Sequence, residues 1–185
     1  MDKVYSIKVE PMTAESFEPF GMLIDPQERP PDRRMIVPLD FHAEGRTTLS
    51  SIWQPCEGLT FFEMERHFGV TQAFFQLSGA PTVVAAAAPT DPDPLAIPEP
   101  DQIRAFLIDP SKGYAFNVGT WHSVKRFVLA PPGATLAVIN SDPNPSQIVN
   151  YQDHLSLTYS DLATDQNPRR DDLGDRFGLV FELTL

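Results

Sequence analysis

The chain has 185 residues, 42% hydrophobic and 21% charged, with a formal net charge of −11. That length suits one domain, and the acidic balance excludes nucleic acid and anionic membrane surfaces, which both select basic patches. The single cysteine, Cys56, excludes an internal disulfide. Residues 1–11 lack the apolar stretch of a secretion signal. The longest apolar run, residues 83–88, is far below the roughly 18 residues of a membrane span, so a cytoplasmic protein is expected. The 19 prolines and 13 phenylalanines favour short strands joined by turns over long helices.

Residues 4–10 alternate as a strand does. Thr13 is placed to cap a short helix running to about Phe20, where Pro19 and Gly21 end it. Residues 25–34 form a polar, proline-rich loop with no packing pattern. From residue 47 the chain breaks into short apolar or alternating runs, each bounded by Gly, Pro, Asp or Asn, which predicts a β-sandwich or barrel. Residues 89–101 read as a surface loop between two strands, and 141–147 as a turn. Residues 161–177 are highly charged and read as a solvated stretch. A final strand over 178–184 needs a pairing partner, either in its own sheet or across a subunit interface.

Within this pattern, Glu65 and His67 stand two apart on one strand and share a face, with Met64 and Arg66 on the other. The chain turns at Phe68-Gly69-Val70. Gln72 follows five positions after His67, and Gly79 seven after Gln72. This spacing is similar to the first cupin motif, with Glu65 for its first His and Gln72 for its Glu. Residues Asn117 to His122 resemble the second motif, with Asn117 for its Pro, and Arg126 stands where an Asn is expected. The expected fold is therefore all-β, a cupin-type barrel (double-stranded β-helix, or jelly roll) with a short N-terminal helix. It forms one domain over 1–185, with a core at about 5–160 and a charged C-terminal extension.

Glu63-Met64-Glu65-Arg66-His67, then Thr71-Gln72-Ala73-Phe74, resemble the core of the ureidoglycolate lyase family. Trp121-His122 and the opening Thr13 to Gly21 resemble it too, so the likeness covers about residues 5–140. It implies a dimeric cupin that splits ureidoglycolate into glyoxylate and urea, a C–N lyase step of allantoin and purine breakdown. Two positions depart from the family pattern: Asn117 and Ser123 stand where histidines are expected.

Glu65, His67, Gln72 and His122 are the expected catalytic residues. The imidazoles titrate near neutrality when unperturbed, and a desolvated Glu65 could serve as base. A divalent metal on Glu65, His67 and His122, with Gln72 as a weak fourth ligand, is one way to activate a hydroxyl; metal-free acid–base work is the other. Arg66, Lys125 and Arg126 are candidates for the substrate carboxylate, with Asn117 and Trp121 beside the substrate. Two other readings stay open, a cupin acting on another small hydroxy or keto acid or lactone, and a non-catalytic ligand-binding cupin. The expected partners are a small carboxylic acid and a second copy of the chain, with residues 178–184 as the interface edge.

Overall fold

In the computed structural model, residues 3–25, 36 and 38–185 are described. The elements are β1 (Lys3–Pro11), α1 (Ala14–Phe17), β2 (Gly21–Ile24), β3 (Arg46–Pro55), β4 (Thr60–Phe61), β5 (Glu63–His67), β6 (Ala73–Gln76), β7 (Thr82–Ala87), β8 (Arg104–Ile108), β9 (Gly113–Phe116), β10 (Trp121–Ser123), β11 (Phe127–Val128), β12 (Gly133–Asp142), β13 (Ser146–Asn150), β14 (Leu155–Tyr159), β15 (Arg169–Asp172) and β16 (Leu179–Thr184). Among the described residues they form two sheets. The larger runs β15-β14-β13-β5-β10-β7-β8-β1-β16-β4, with β11 against β7, and the smaller runs β2-β9-β6-β12-β3.

β7 explains why the large sheet is covered on both sides. All six of its residues are buried, as a strand apolar on both faces requires. Val84 and Ala86 join Phe17, Phe74, Phe106, Tyr114, Phe116 and Leu136 in the core between the two sheets. Val83, Ala85 and Ala87 face the other way, into a second core with Trp121, Phe127, Leu179 and Phe181. The small alanines leave room for large neighbours on β10, where Trp121 pairs with Ala87 and His122 with Ala86. The result is the expected all-β, cupin-type barrel. Its interior lies on the side of Val84 and Ala86.

Several local expectations change in three dimensions. The helix begins as predicted, with Thr13 and Ser16 forming a reciprocal cap, but it stops at Phe17. Pro19 has no N–H to bond the preceding turn, and the chain closes instead through Phe20 N to Phe17 O at 2.9 Å. Apart from Asp25, the loop over 25–34 lies outside the described residues. The 89–101 loop packs on the outer face of the large sheet: Ile97 is buried there, and its Pro94 and Pro98 carbonyls accept hydrogen bonds from Gln147 and Tyr151. Residues 169–172 form a charged edge strand paired with β14, a composition that resists further pairing. The final strand is not an interface edge. β16 lies between β1, parallel, and β4, antiparallel, so both of its sides are occupied.

A candidate active site inside the barrel

His122 pairs directly with Glu65 across β10 and β5, and His122 shares the inward face with Ala86. His67, two residues beyond Glu65, faces the same interior. The end of β5 is fixed from two directions. Gly119, at φ +80°, donates its N–H to His67 O at 2.8 Å, a backbone position that a side chain would strain. Gln72 sits just before β6, and its carbonyl accepts the Phe116 N–H at 2.9 Å. The two imidazole centroids are 5.3 Å apart, and Phe116 stacks on His122 at 4.4 Å. His122 Nδ1 lies 3.5 Å from Glu65 Oε1. One ligand atom each from Glu65, His67 and His122 falls within 4.8 Å of the others.

Hydrogen-bond bookkeeping fixes the tautomers. Ser146 donates its one hydroxyl proton to Asn144 O at 2.9 Å, so its oxygen must accept from His67 Nδ1 at 2.7 Å. His67 Nε2 is then a bare lone pair. The His122 Nδ1–H faces Ser123 O at 3.2 Å and Glu65, which leaves its Nε2 bare as well. Both Nε2 atoms and Gln72 Oε1 are buried without a hydrogen-bond partner. Three unpartnered acceptors among the described residues of one interior call for a cation or a donor.

Burial sets the charge state of the cluster. Desolvation pushes the Glu65 carboxyl up to about 7, with the nearby Arg126 cation opposing it. His67 is pushed down to about 4, by burial first and by Arg126 second. His122 is held well below its ordinary value by the same two causes and by His67. The sequence-based expectation that the imidazoles titrate near pH 7 is thereby reversed: both are neutral there, and the carboxyl is the group poised near neutrality.

The expected substrate contacts fare differently. Arg66 is on the outer face, opposite Glu65 and His67, where it donates to Gln147 Oε1, to Thr90 and to the Asp91 carbonyl and lies over Trp121. It clamps the 89–101 loop and does not reach the barrel interior. Trp121 is also outward and fully buried, with Nε1 donating to Thr90, so it walls no pocket. Lys125 is exposed and pairs with Glu57 at 3.2 Å. Asn117 is exposed on the β9–β10 turn. Ser123 pairs with outward-facing Met64, so its departure from the family pattern leaves the interior unchanged. Of the three cations considered, only Arg126 points inward. The chain bends at residues 124 and 125 between β10 and β11, so strand alternation does not carry that signal. Ser146, which orients His67, had no signal in the sequence, because its partnership depends on β13 lying beside β5.

A buried imidazole–carboxylate cluster facing the interior of an all-β barrel marks the cupin enzymes as the class. The particular family follows from sequence: the ureidoglycolate lyase family profile matches residues 4–158, and the chain belongs to that family. It is 37% identical over 140 residues to ureidoglycolate lyase of Rhodobacter capsulatus, covering 69% of this chain and 80% of that one. Identity is 30% over 133 residues to the Azotobacter vinelandii enzyme of the same name, covering 63% and 74%. It is 31% over 127 residues to that of Escherichia coli O139:H28, covering 63% and 76%. Among solved structures, RmlC from Streptococcus suis in complex with dTDP-D-xylose aligns with a TM-score of 0.34 and 15% identity, over 66% of this chain and 57% of that one. Glu65, His67, Gln72, His122 and Arg126 all fall within the matched region, whereas β15 and β16 lie beyond it.

Proposed function

We propose that this chain is a C–N lyase that cleaves ureidoglycolate to glyoxylate and urea. The supporting observation is the convergence of Glu65, His67 and His122 in one buried interior, in a member of the ureidoglycolate lyase family. The reaction needs neither water nor a net proton. The substrate hydroxyl loses its proton to the Glu65 carboxylate, the C–O bond becomes C=O, and the C–N bond breaks with its electron pair going to nitrogen. The protonated Glu65 then returns the proton to the departing urea nitrogen. A carboxyl poised near 7 can both take and give that proton, and a proton-transfer group of this kind contributes about 10²–10⁴-fold. His67 and His122 are neutral and fixed in orientation.

The donor set fits a divalent cation, because one ligand atom each from Glu65, His67 and His122 lies within 4.8 Å of the others and both bare Nε2 atoms lack partners. Glu65, His67 and His122 would hold it, with Gln72 as a weak fourth ligand, and it would stabilise negative charge on the substrate oxygen. The Ser146 bond to His67 Nδ1 is the usual outer support of such a ligand. Metal analysis of gently purified protein tests this; less than about a tenth of an equivalent argues against it. His67→Ala tests the reaction itself. Glyoxylate release should fall, through loss of a ligand and of the ordered interior, and Glu65→Gln, which removes the proton-transfer group, should lower it by about 10²-fold or more; unchanged turnover in both would reject the assignment.

The apolar outer face of the small sheet supports the reading that the chain pairs with a second copy. The outer face of the small sheet carries Leu49, Ser51 and Trp53 on β3, Ala137 and Ile139 on β12, and Phe75 on β6 in register. No charged side chain stands among them, and Trp53 is 59% and Leu49 75% exposed. In a chain with net charge −11, this is a face on which two copies can meet without like-charge repulsion.

A further inference from the structure

The two most buried arginines lie on opposite faces of the large sheet, and their hydrogen bonding separates their roles. Arg66 is saturated: Nε, Nη1 and Nη2 all donate, to Gln147, Thr90 and the Asp91 and Asp93 carbonyls. Arg126 is 3% exposed and faces the interior. Its guanidinium lies 4.2 Å over Phe74 and 5.5 Å from Phe116, the ring that stacks on His122. Nε donates to Tyr114 Oη at 2.9 Å and Nη1 to Ser123 O at 2.8 Å. Two of five N–H groups are thus used, and Nη2 donates to nothing among the described residues. No carboxylate there comes within the 4.0 Å of an ion pair; Glu65 feels the Arg126 field from farther away.

A buried guanidinium with free donors and no counter-ion is costly unless an anion completes it. Its planar fork suits a carboxylate. We propose that Arg126 is the receptor for the carboxylate of the substrate, and that it makes the interior selective for monoanionic small 2-hydroxy acids over their neutral amides. This rests on the lyase reading for the identity of the substrate, but not for the charge preference. With the carboxylate anchored on Arg126, the neighbouring hydroxyl carbon is turned toward Glu65, His67 and His122. The rings of Phe74, Tyr114 and Phe116 hold the guanidinium in one orientation.

The experiment compares wild type, Arg126→Gln and Arg126→Lys in two arms. In the first, binding of glycolate and of neutral glycolamide is measured by calorimetry. Wild type should bind glycolate at least tenfold tighter than glycolamide. Arg126→Gln should lose that preference, and Arg126→Lys should recover most of it, because the charge is kept. In the second arm, Arg126→Gln should raise KM for ureidoglycolate by about 10–100-fold, beyond any change in kcat that loss of the Arg126 charge beside Glu65 brings. Equal binding of glycolate and glycolamide by wild type overturns the proposal without any variant, even if Arg126→Gln does not fold. So does a well-folded Arg126→Lys that binds glycolate no better than Arg126→Gln, or a KM left unchanged while kcat falls. Absence of turnover in wild type alongside intact glycolate preference would reject the lyase reading and leave the anion site standing.

Discussion

Glu65 is where burial has the most direct energetic consequence. Its carboxyl rises from about 4.5 to about 7 on folding, because desolvation penalises the charged form. The folded chain therefore holds this proton more tightly than the unfolded chain. The sign is that of a raised acid: below about pH 4.5 the shift has no effect, between about 4.5 and 7 stability is lost as pH rises, and above about 7 the full cost remains. Glu65→Gln removes that cost. The variant should match wild type near pH 4 and exceed it by up to about 3 kcal/mol at pH 8. Denaturant midpoints of metal-free protein at the two pH values measure the difference; a constant difference would show that the carboxyl is not desolvated. The pairing of Glu65 with His67 was legible in the sequence, because residues two apart on a strand share a face. The neutrality of the imidazoles was not, because it depends on how completely the two sheets enclose them.

At the scale of one element, β5 carries chemistry on one face and structure on the other. Arg66 alternates with Glu65 and His67 and anchors the 89–101 loop through Thr90 and Asp91, with Gln147 of β13 as a further partner. Arg66→Ala would strand Gln147 Oε1 in a buried setting and release the half-buried carbonyls of the loop. It should lower stability by about 3 kcal/mol, read from thermal or chemical unfolding. KM for ureidoglycolate in the folded variant should stay within about twofold of wild type, because Arg66 does not face the barrel interior. A large rise in KM with unchanged stability would return Arg66 to the substrate. The alternation rule alone placed Arg66 outward. The chain that it grips there could not be read locally, because the 89–101 loop has the composition of a solvated connection.

At the scale of the molecule, the acidic charge and the apolar outer face of the small sheet act together. Leu49 and Trp53 sit two strand repeats apart on β3, opposite Ile139 and Thr135, with no charged side chain beside them in register among the described residues. Leu49→Asp combined with Trp53→Glu should convert a dimer into a monomer in light scattering and leave the circular dichroism of the fold intact. A variant that stays dimeric would remove this face as the interface. The last strand has no such role, because β1 and β4 already flank it.

By itself, the sequence determined the all-β class, most of the strands and turns, and the inward set of Glu65, His67, Gln72 and His122. Each of these follows from local spacing, alternation and turn chemistry. Only the tertiary structure decided that Arg126 and not Lys125 enters the barrel, that Ser146 orients His67, and that β16 closes inside a sheet. These depend on which elements lie side by side, and for Ser146 and β16 the partners are about 80 and more than 170 residues away. Pairing over such distances is chosen by how the whole core packs, and no window of the chain contains that information.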